Sequence, residues 1–211
     1  MMNKEQIITI DTGEIKLKAL FHDSGEHRGA VVAHPHPTFG GSMYNNVVNT
    51  LCSVFSSVGY STLRFNFRGV GESTGEYDNG IGEVDDIISA YNYLKNNINS
   101  SEKIILSGYS FGAYVVFNSL KKLNINGHQI FLISPPLDTM DFLFTDDEKN
   151  IITENEIFVF VGDDDEHCSV ESAEKFRGTF NAELHILDYT DHFYRQRENR
   201  LSEVVSDCLH I

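Results

Sequence analysis

One serine of the chain has the neighbours that a catalytic nucleophile requires. Ser110 lies in GYSFGA, with Gly108 two residues before it and Gly112 two residues after it. An apolar run precedes this segment and another follows it, which predicts a strand, a sharp turn and a helix. Glycines at these positions let the strand and the helix approach closely, so the hydroxyl projects from the tip of a strained turn. The Phe111 N–H, at the start of the helix, can then donate to a developing oxyanion.

The same chemistry needs a base and an acid. A serine hydroxyl is a weak nucleophile unless a base takes its proton. His192, in the loop DYTDHF after the last predicted strand, is the expected base. We interpret His185, within that strand, and His210, near the end of the chain, as structural. The acid should lie between the serine and the base in the chain, on a loop after a strand. The candidates are the three consecutive Asp residues 163–165 and Asp138 in SPPLD.

These residues need a scaffold that brings the ends of several strands together. Apolar runs predict strands over residues 7–10, 15–21, 30–33, 61–65, 103–106, 129–133, 157–161 and 183–187. Helical periodicity predicts helices over residues 45–58, 83–97, 113–123, 170–180 and 194–209. Strands alternate with helices from residue 30 onward. This order favours a mostly parallel sheet with helices on both faces and an antiparallel hairpin at its start.

Five segments carry a resemblance to a known family. In chain order they are HPHPTFGGSM, RFNFRGVGESTG, GYSFGA, GDDDE and DHF, and their combination is more specific than any one of them. On these segments the chain resembles the α/β-hydrolase superfamily over essentially its whole length. More narrowly, it is similar to small bacterial predicted α/β hydrolases with an HPHPxxGG motif, a subgroup similar to dienelactone-hydrolase-like and acyl-peptidase-like enzymes. The resemblance implies one α/β-hydrolase domain over residues 1–211.

The resemblance also implies site residues. Such families place the acid in a G-x-x-D pattern, which here ends at Asp165. Their second oxyanion N–H comes from the loop after the third strand. Pro35 and Pro37 have no N–H, so the donor is His36, Thr38 or a residue just beyond, and His36 is the expected one. The candidates for the substrate pocket are Thr38, Phe39, Tyr109 and Leu137.

The sequence departs from the wider family pattern in two places. Asn66 stands where relatives often have Asp, and Arg68 is interpreted as a cation that organises its loop. Residues 134–156 are too few for the lid domain that relatives insert there, although PPLDTMDFLF could form a small flap or a substrate wall. We therefore expect an open site without a large lid, suited to small or medium acyl substrates.

Composition narrows the class of protein. The chain has 211 residues and a formal net charge of −15, which argues against nucleic acid or an anionic membrane as a partner. Three cysteines without a CxxC pair favour a reducing compartment. The N-terminal segment lacks the apolar run of a signal peptide or membrane anchor. We expect a cytoplasmic protein, monomeric or homodimeric, with a small-molecule substrate.

The resulting prediction is a serine hydrolase that cleaves an ester, thioester or amide without a cofactor or metal. One alternative is a non-catalytic binding protein on the same fold, with Ser110 as an inert turn residue. A less favoured alternative is a metal-dependent enzyme, whose ligands would come from His34, His36, Asp163, Asp164, Asp165, His167, Cys168 and His192. The glycine-rich RGVGESTG lacks the GK[ST] ending of a phosphate loop.

Overall fold

The computed structural model of the chain describes residues 5–98 and 104–209. Within these residues the strands are β1 (Gln6–Asp11), β2 (Lys16–His22), β3 (Gly29–Ala33), β4 (Ser61–Phe65), β5 (Ile105–Tyr109), β6 (Gln129–Ile133), β7 (Glu156–Gly162) and β8 (Glu183–Leu187). The α-helices are α1 (Asn46–Ser57), α2 (Gly82–Asn97), α3 (Phe111–Leu123), α4 (Asp146–Thr153), α5 (Val170–Phe180) and α6 (Glu198–Asp207). A short 3-10 helix spans Pro37–Phe39.

All eight strands form one sheet in the order β1-β2-β4-β3-β5-β6-β7-β8. The β1–β2 and β2–β4 pairs are antiparallel, and every later pair is parallel. The mostly parallel sheet with an antiparallel start, predicted from the sequence, is confirmed. Because the parallel strands all end at the same edge, the loops that follow β5, β7 and β8 lie along one side of the molecule.

Apolar side chains fill both faces of the sheet, because successive residues of a strand point to opposite sides. On β3, Val31 and Ala33 belong to the core that includes α2, α3 and α5. Ala30 and Val32 belong to the core that includes α1 and α6. The two cores hold the sheet between helical layers and fix where each strand ends. None of the helices in the described residues is long and apolar enough to cross a bilayer.

The predicted helix over residues 194–209 is wrong at its start, since α6 begins at Glu198. Tyr194 and Gln196 have φ angles of 55° and 64°, left-handed values that no α-helix contains. Tyr194 is fully buried, and its phenol oxygen lies 2.8 Å from Ser134 Oγ. The burial of this ring and the contact of its hydroxyl determine the backbone conformation at Tyr194. The spacing of apolar residues in the sequence gives no sign of either contact.

The predicted strand over residues 103–106 is too short, since β5 continues to Tyr109. Residue 103 lies outside the described residues. Helix α3 begins at Phe111, two residues earlier than predicted. Gly108 still pairs with Ala33 and Leu132 in the sheet. The turn between strand and helix is therefore a single residue, Ser110.

Helix α4 was missed because residues 134–156 were treated as a short connection. Thr145 and Glu148 form a capping box, in which each side chain accepts a hydrogen bond from the other residue's backbone N–H. The spacing T-x-x-E was the available signal for this helix start. The connection holds one short helix and no inserted domain, as expected for a chain without a large lid.

Candidate active site

Ser110 occupies a strained turn between β5 and α3. Its φ of 54° and ψ of −120° lie outside the regions that non-glycine residues favour. The Ser110 N–H donates to the carbonyl of Ile133 at 2.9 Å, and its own carbonyl accepts from the N–H of Ala113 at 2.9 Å. These bonds hold Ser110 between β5 and α3, so that its hydroxyl stands at the helix N-terminus.

Gly112 permits the close approach of α3 to β3. A Cβ atom on Gly112 would lie 2.6 Å from the carbonyl oxygen of Ala33 and 2.7 Å from that of His34. Both neighbours are backbone atoms, which cannot turn aside as a flexible side chain could. Glycine is therefore required here for steric reasons, as the sequence pattern predicts.

Gly112→Ala should lower the free energy of unfolding by about 2 to 3 kcal/mol, the range of an overpacked core. Gly178→Ala is the matched control, because Gly178 lies within α5 and a Cβ there meets nothing within 4 Å. That control should stabilise the protein by roughly 0.5 to 1 kcal/mol. Urea unfolding of the two variants measures both effects. Equal stability of the two variants would contradict the steric role.

The structure brings Ser110, His192 and Asp165 into one hydrogen-bonded chain. His192 Nε2 lies 2.9 Å from Ser110 Oγ. His192 Nδ1 lies 2.9 Å and 3.0 Å from the two carboxylate oxygens of Asp165. Ser110 follows β5, Asp165 follows β7 and His192 follows β8, so three loops at one edge of the sheet supply the three groups. Each group is placed as proton transfer from a serine requires.

Asp165 is buried and strongly hydrogen-bonded. Besides His192, its carboxylate accepts from the backbone N–H groups of His167 and Cys168 at 2.9 Å and 3.0 Å. Burial by itself would raise the pKa of Asp165, but the hydrogen bond and charge of His192, the Ser134 hydroxyl and the His167 N–H together hold it below its usual value. An ionised Asp165 accepts a hydrogen bond from the Nδ1–H group of His192. Nε2 then has no proton and can accept a hydrogen bond from the Ser110 hydroxyl.

Two aromatic rings hold His192 in place. The Tyr109 hydroxyl donates to the His192 carbonyl at 2.6 Å. Burial, with the nearby charges of Asp165 and Asp191, raises the pKa of Tyr109, so this hydroxyl keeps its proton. The His167 ring meets the His192 ring edge-on, with centroids 4.7 Å apart. His192 is itself 7% exposed, which leaves it little freedom to turn.

The rival acid, Asp138, serves another purpose. Its carboxylate accepts from the Ser169 N–H at 2.5 Å and from the hydroxyls of Ser169 and Ser172. These are residues at the start of α5, so Asp138 satisfies unpaired groups of a helix N-terminus. Of the rival histidines, His185 lies within β8 as predicted, and His210 lies outside the described residues.

The two expected oxyanion donors have free N–H groups. In the loop after β3, the N–H groups of Thr38, Phe39, Gly40 and Gly41 all donate within the loop, to His36 Nδ1, the His36 carbonyl or the Pro37 carbonyl. Among the described residues, the N–H groups of His36 and Phe111 donate to no protein acceptor. His36 is fixed by its ring, whose Nε2 lies 3.1 Å from the Tyr77 hydroxyl. This arrangement favours His36 over Thr38 as the second donor.

The His34 ring forms hydrogen bonds that fix the loop after β3. Its Nε2 accepts from the Phe67 N–H at 3.0 Å, and its Nδ1 donates to the Pro35 carbonyl at 2.6 Å. Both ring nitrogens are thus engaged, which removes His34 from the metal ligands considered above. Burial lowers the pKa of His34 from 6.5 to about 4, against the opposing effect of the Pro35 hydrogen bond.

A decrease in pH should destabilise the fold, because the buried His34 resists protonation. Between pH 6.5 and pH 4 the unfolded chain binds a proton at His34 that the folded chain does not bind, so stability falls as pH falls through this window. The loss should amount to about 3 kcal/mol. His34→Gln lacks this titration, so its stability should depend less on pH over the same window. Urea unfolding at several pH values measures the difference, and parallel curves would contradict it.

An open cavity of about 1050 Å³ adjoins Ser110. It is lined by Pro35, His36, Phe39, Gly40, Gly41, Asn45, Asn46, Tyr109, Ser110, Phe111, Pro136, Thr139, Met140, His167, His192, Phe193, Arg195 and Glu198. Phe39 and Tyr109 therefore line the cavity as predicted, and Pro136 and Met140 show that PPLDTMDFLF contributes a wall. Most of the exposed lining is apolar, and Arg195 and Glu198 contribute side chains of opposite charge.

Two of the pocket candidates, Leu137 and Thr38, are not among the residues that line the cavity. Leu137 packs against the buried Val161, Cys168 and Ala173. Thr38 is exposed, and its hydroxyl lies 3.1 Å from His36 Nδ1 within its own loop. Phe193 and Arg195 were missed, although they follow the predicted base closely in the sequence. Their position beside His192 was the signal that could have identified them.

Arg68 organises its loop as the sequence suggested, and Asn66 has a comparable structural role. Arg68 forms a salt bridge with the buried Asp86, with Nη2 2.8 Å from Oδ1. The Asn66 side-chain oxygen accepts from the Met43 N–H at 2.8 Å. Both residues order the loops behind the site, and neither lines the cavity.

The chain resembles known proteins in both sequence and structure. No family model matches it. The uncharacterized protein RP471 of Rickettsia prowazekii is 34% identical over 192 residues, which cover 85% of this chain and 77% of that protein. A solved α/β serine hydrolase homologue from Coxiella burnetii is 29% identical, with a TM-score of 0.83 and coverage of 100% of this chain and 99% of its own. XC6422 from Xanthomonas campestris, described as an α/β serine hydrolase without a lid, is 26% identical, with a TM-score of 0.84 and coverage of 98% and 94%.

Proposed function

Because this chain belongs to the same family as RP471 of Rickettsia prowazekii and has the α/β-hydrolase fold, we propose that it is a serine hydrolase with Ser110, His192 and Asp165 as its catalytic triad. The observation that carries the proposal is the hydrogen-bonded chain from Ser110 Oγ through His192 to Asp165. The resemblance to structures of α/β serine hydrolases supports hydrolysis as the reaction class.

The first half of the reaction forms an acyl-enzyme. Ser110 Oγ attacks the substrate carbonyl carbon while His192 Nε2 takes the hydroxyl proton. The ionised Asp165 stabilises the resulting imidazolium. The carbonyl oxygen becomes an oxyanion, which accepts hydrogen bonds from the N–H groups of Phe111 and His36. Collapse of this intermediate expels the leaving group, which takes the proton from His192.

The second half of the reaction releases the acid product. A water molecule loses a proton to His192 Nε2 and attacks the acyl carbon. The oxyanion again accepts from the N–H groups of Phe111 and His36. This intermediate collapses with cleavage of the bond between the acyl carbon and Ser110 Oγ, and the acid product leaves. Ser110 Oγ takes the proton back from His192, which restores the free enzyme. These steps need no cofactor and no metal.

The proposed substrates are esters, thioesters or amides with a small or medium acyl group. Phe39, Phe111, Met140 and Phe193 provide apolar walls, which favour an apolar group on the substrate. The cavity is open rather than covered, so it encloses less of a long lipid chain than a lidded site would. We further propose a cytoplasmic enzyme of the HPHPxxGG subgroup, formed of one domain.

Intact-mass measurement after incubation with a fluorophosphonate tests the proposal directly. We expect one adduct on the wild-type protein and none on Ser110→Ala. Such a result would justify a screen of p-nitrophenyl esters and acyl thioesters of increasing chain length. A folded wild-type protein that takes no adduct would favour the alternative of a non-catalytic binding protein.

A further inference from the structure

A second group of reactive side chains lies away from Ser110, at the edge of the sheet. Glu183 and His185 are two residues apart on β8, so their side chains share one face of the strand. Cys208 directly follows α6. The ligand atoms of these three residues lie within 4.8 Å of one another. None of the three is among the metal ligands that the sequence suggested.

The three side chains contact one another directly. His185 Nε2 lies 3.0 Å from Glu183 Oε1 and 3.3 Å from Cys208 Sγ. The Cys208 thiol has a further acceptor, the Val204 carbonyl, at 3.2 Å. If the thiol donates there, Nε2 faces a carboxylate oxygen and a sulfur lone pair with one proton at most. A cation between the three atoms would receive a lone pair from each.

The donor set and its spacing fit zinc. Thiolate, imidazole and carboxylate are the protein ligands that zinc uses. Zinc bonds of about 2.0 to 2.3 Å in tetrahedral geometry place ligand atoms roughly 3.5 Å apart. The two distances from His185 Nε2, 3.0 Å and 3.3 Å, are close to this value, and all three atoms lie within 4.8 Å of one another. The His185 ring is also held in position, because it stacks on Phe160 with centroids 4.9 Å apart and planes 13° apart.

We propose that Glu183, His185 and Cys208 bind one zinc ion, with water as the fourth ligand. The ion would join the end of α6 to β8, which is an edge strand and has a sheet neighbour on one side only. The chain between β8 and α6 carries His192 and the cavity residues Phe193 and Arg195. The ion therefore closes a loop around the segment that supplies the base, and it restricts that loop in the unfolded chain.

Zinc binding must release the proton of the Cys208 thiol, because the metal-bound form of a cysteine is a thiolate.

Cobalt titration of the full chain tests the site. Co²⁺ is expected to give a thiolate-to-cobalt charge-transfer band, which one equivalent of Zn²⁺ removes. Cys208→Ser should lose the band. Cys52→Ser is the matched control, since Cys52 is also buried but lies on α1, and it should keep the band. No band on the wild type, or a band that persists in Cys208→Ser, would overturn the proposal.

Glu183→Gln tests the zinc site at an exposed residue, so that a loss of binding cannot be attributed to misfolding. Glu183 has a side chain 61% exposed, so Glu183→Gln should fold normally. It should weaken zinc binding by more than about 100-fold, beyond what the loss of an outer partner costs. Thermal unfolding with and without Zn²⁺ should show stabilisation of the wild type and none of Cys208→Ser. Equal zinc affinity of Glu183→Gln and the wild type would remove Glu183 from the site and contradict the proposal.

Discussion

Ser110→Ala should reduce kcat by about 10⁵-fold or more while KM changes little. The substitution removes the only atom that forms the acyl bond, and it leaves the cavity and the oxyanion donors in place. Residual turnover would come from water attack on a substrate polarised by the N–H groups of Phe111 and His36. Steady-state kinetics on an activated ester, with the fluorophosphonate adduct as a second readout, measures the loss.

Ser107→Ala provides a matched control on the same strand. Ser107 Oγ is buried and has no hydrogen-bond partner among the described residues, so its removal should cost neither stability nor activity. Both variants replace a serine of the β5–α3 segment with the same residue. Comparable activity in the two variants, at equal unfolding midpoints, would show that Ser110 is not the nucleophile.

Asp165→Asn should reduce kcat by about 10⁴-fold. A neutral amide cannot stabilise an imidazolium as the carboxylate does, and its NH₂ group can donate to Nδ1 and so favour the wrong tautomer of His192. The effect should persist across the pH range from 6 to 9. Activity measured from pH 6 to pH 9 distinguishes this loss from a simple shift of the pH optimum.

Asp138→Asn is the paired test for the rival acid. Asp138 accepts from Ser169 and Ser172 at the start of α5 and makes no contact with His192. Its replacement should leave kcat within about twofold and lower the free energy of unfolding by about 0.5 to 1 kcal/mol, through the lost charge at a helix N-terminus. If Asp138→Asn were severe and Asp165→Asn mild, the catalytic acid would be Asp138.

The sheet could be predicted because its strands are local apolar runs. Residues such as Val31 and Val32 are buried on opposite faces, so β3 appears as a continuous apolar segment in the sequence. The strained turn at Ser110 could be predicted because the close approach of α3 to β3 requires a glycine, Gly112, at a fixed spacing from Ser110. Both features depend on residues that are close together in the chain. Their spacing can therefore be recognised in a single sequence.

What the sequence did not reveal depends on contacts between distant segments. Leu137 faces Val161 and Cys168 instead of the cavity, and only the path of the chain after β6 decides that. Tyr194 takes a left-handed conformation because its ring is buried and its hydroxyl meets Ser134, 60 residues earlier. The group of Glu183, His185 and Cys208 likewise exists only once α6 packs beside β8.

The positions of the three proposed triad residues along the chain affect when activity can arise during folding. Ser110 and His192 are 82 residues apart, and His192 and Asp165 are 27 apart. The strands that carry them pair in the order β5-β6-β7-β8, so Ser110 lies near the centre of the sheet and His192 at its edge. Parallel pairing of this kind is long-range and slow to form. A refolding chain should therefore acquire native-like helix content before it reacts with a fluorophosphonate, and a nascent chain on the ribosome should stay inactive until α6 has emerged.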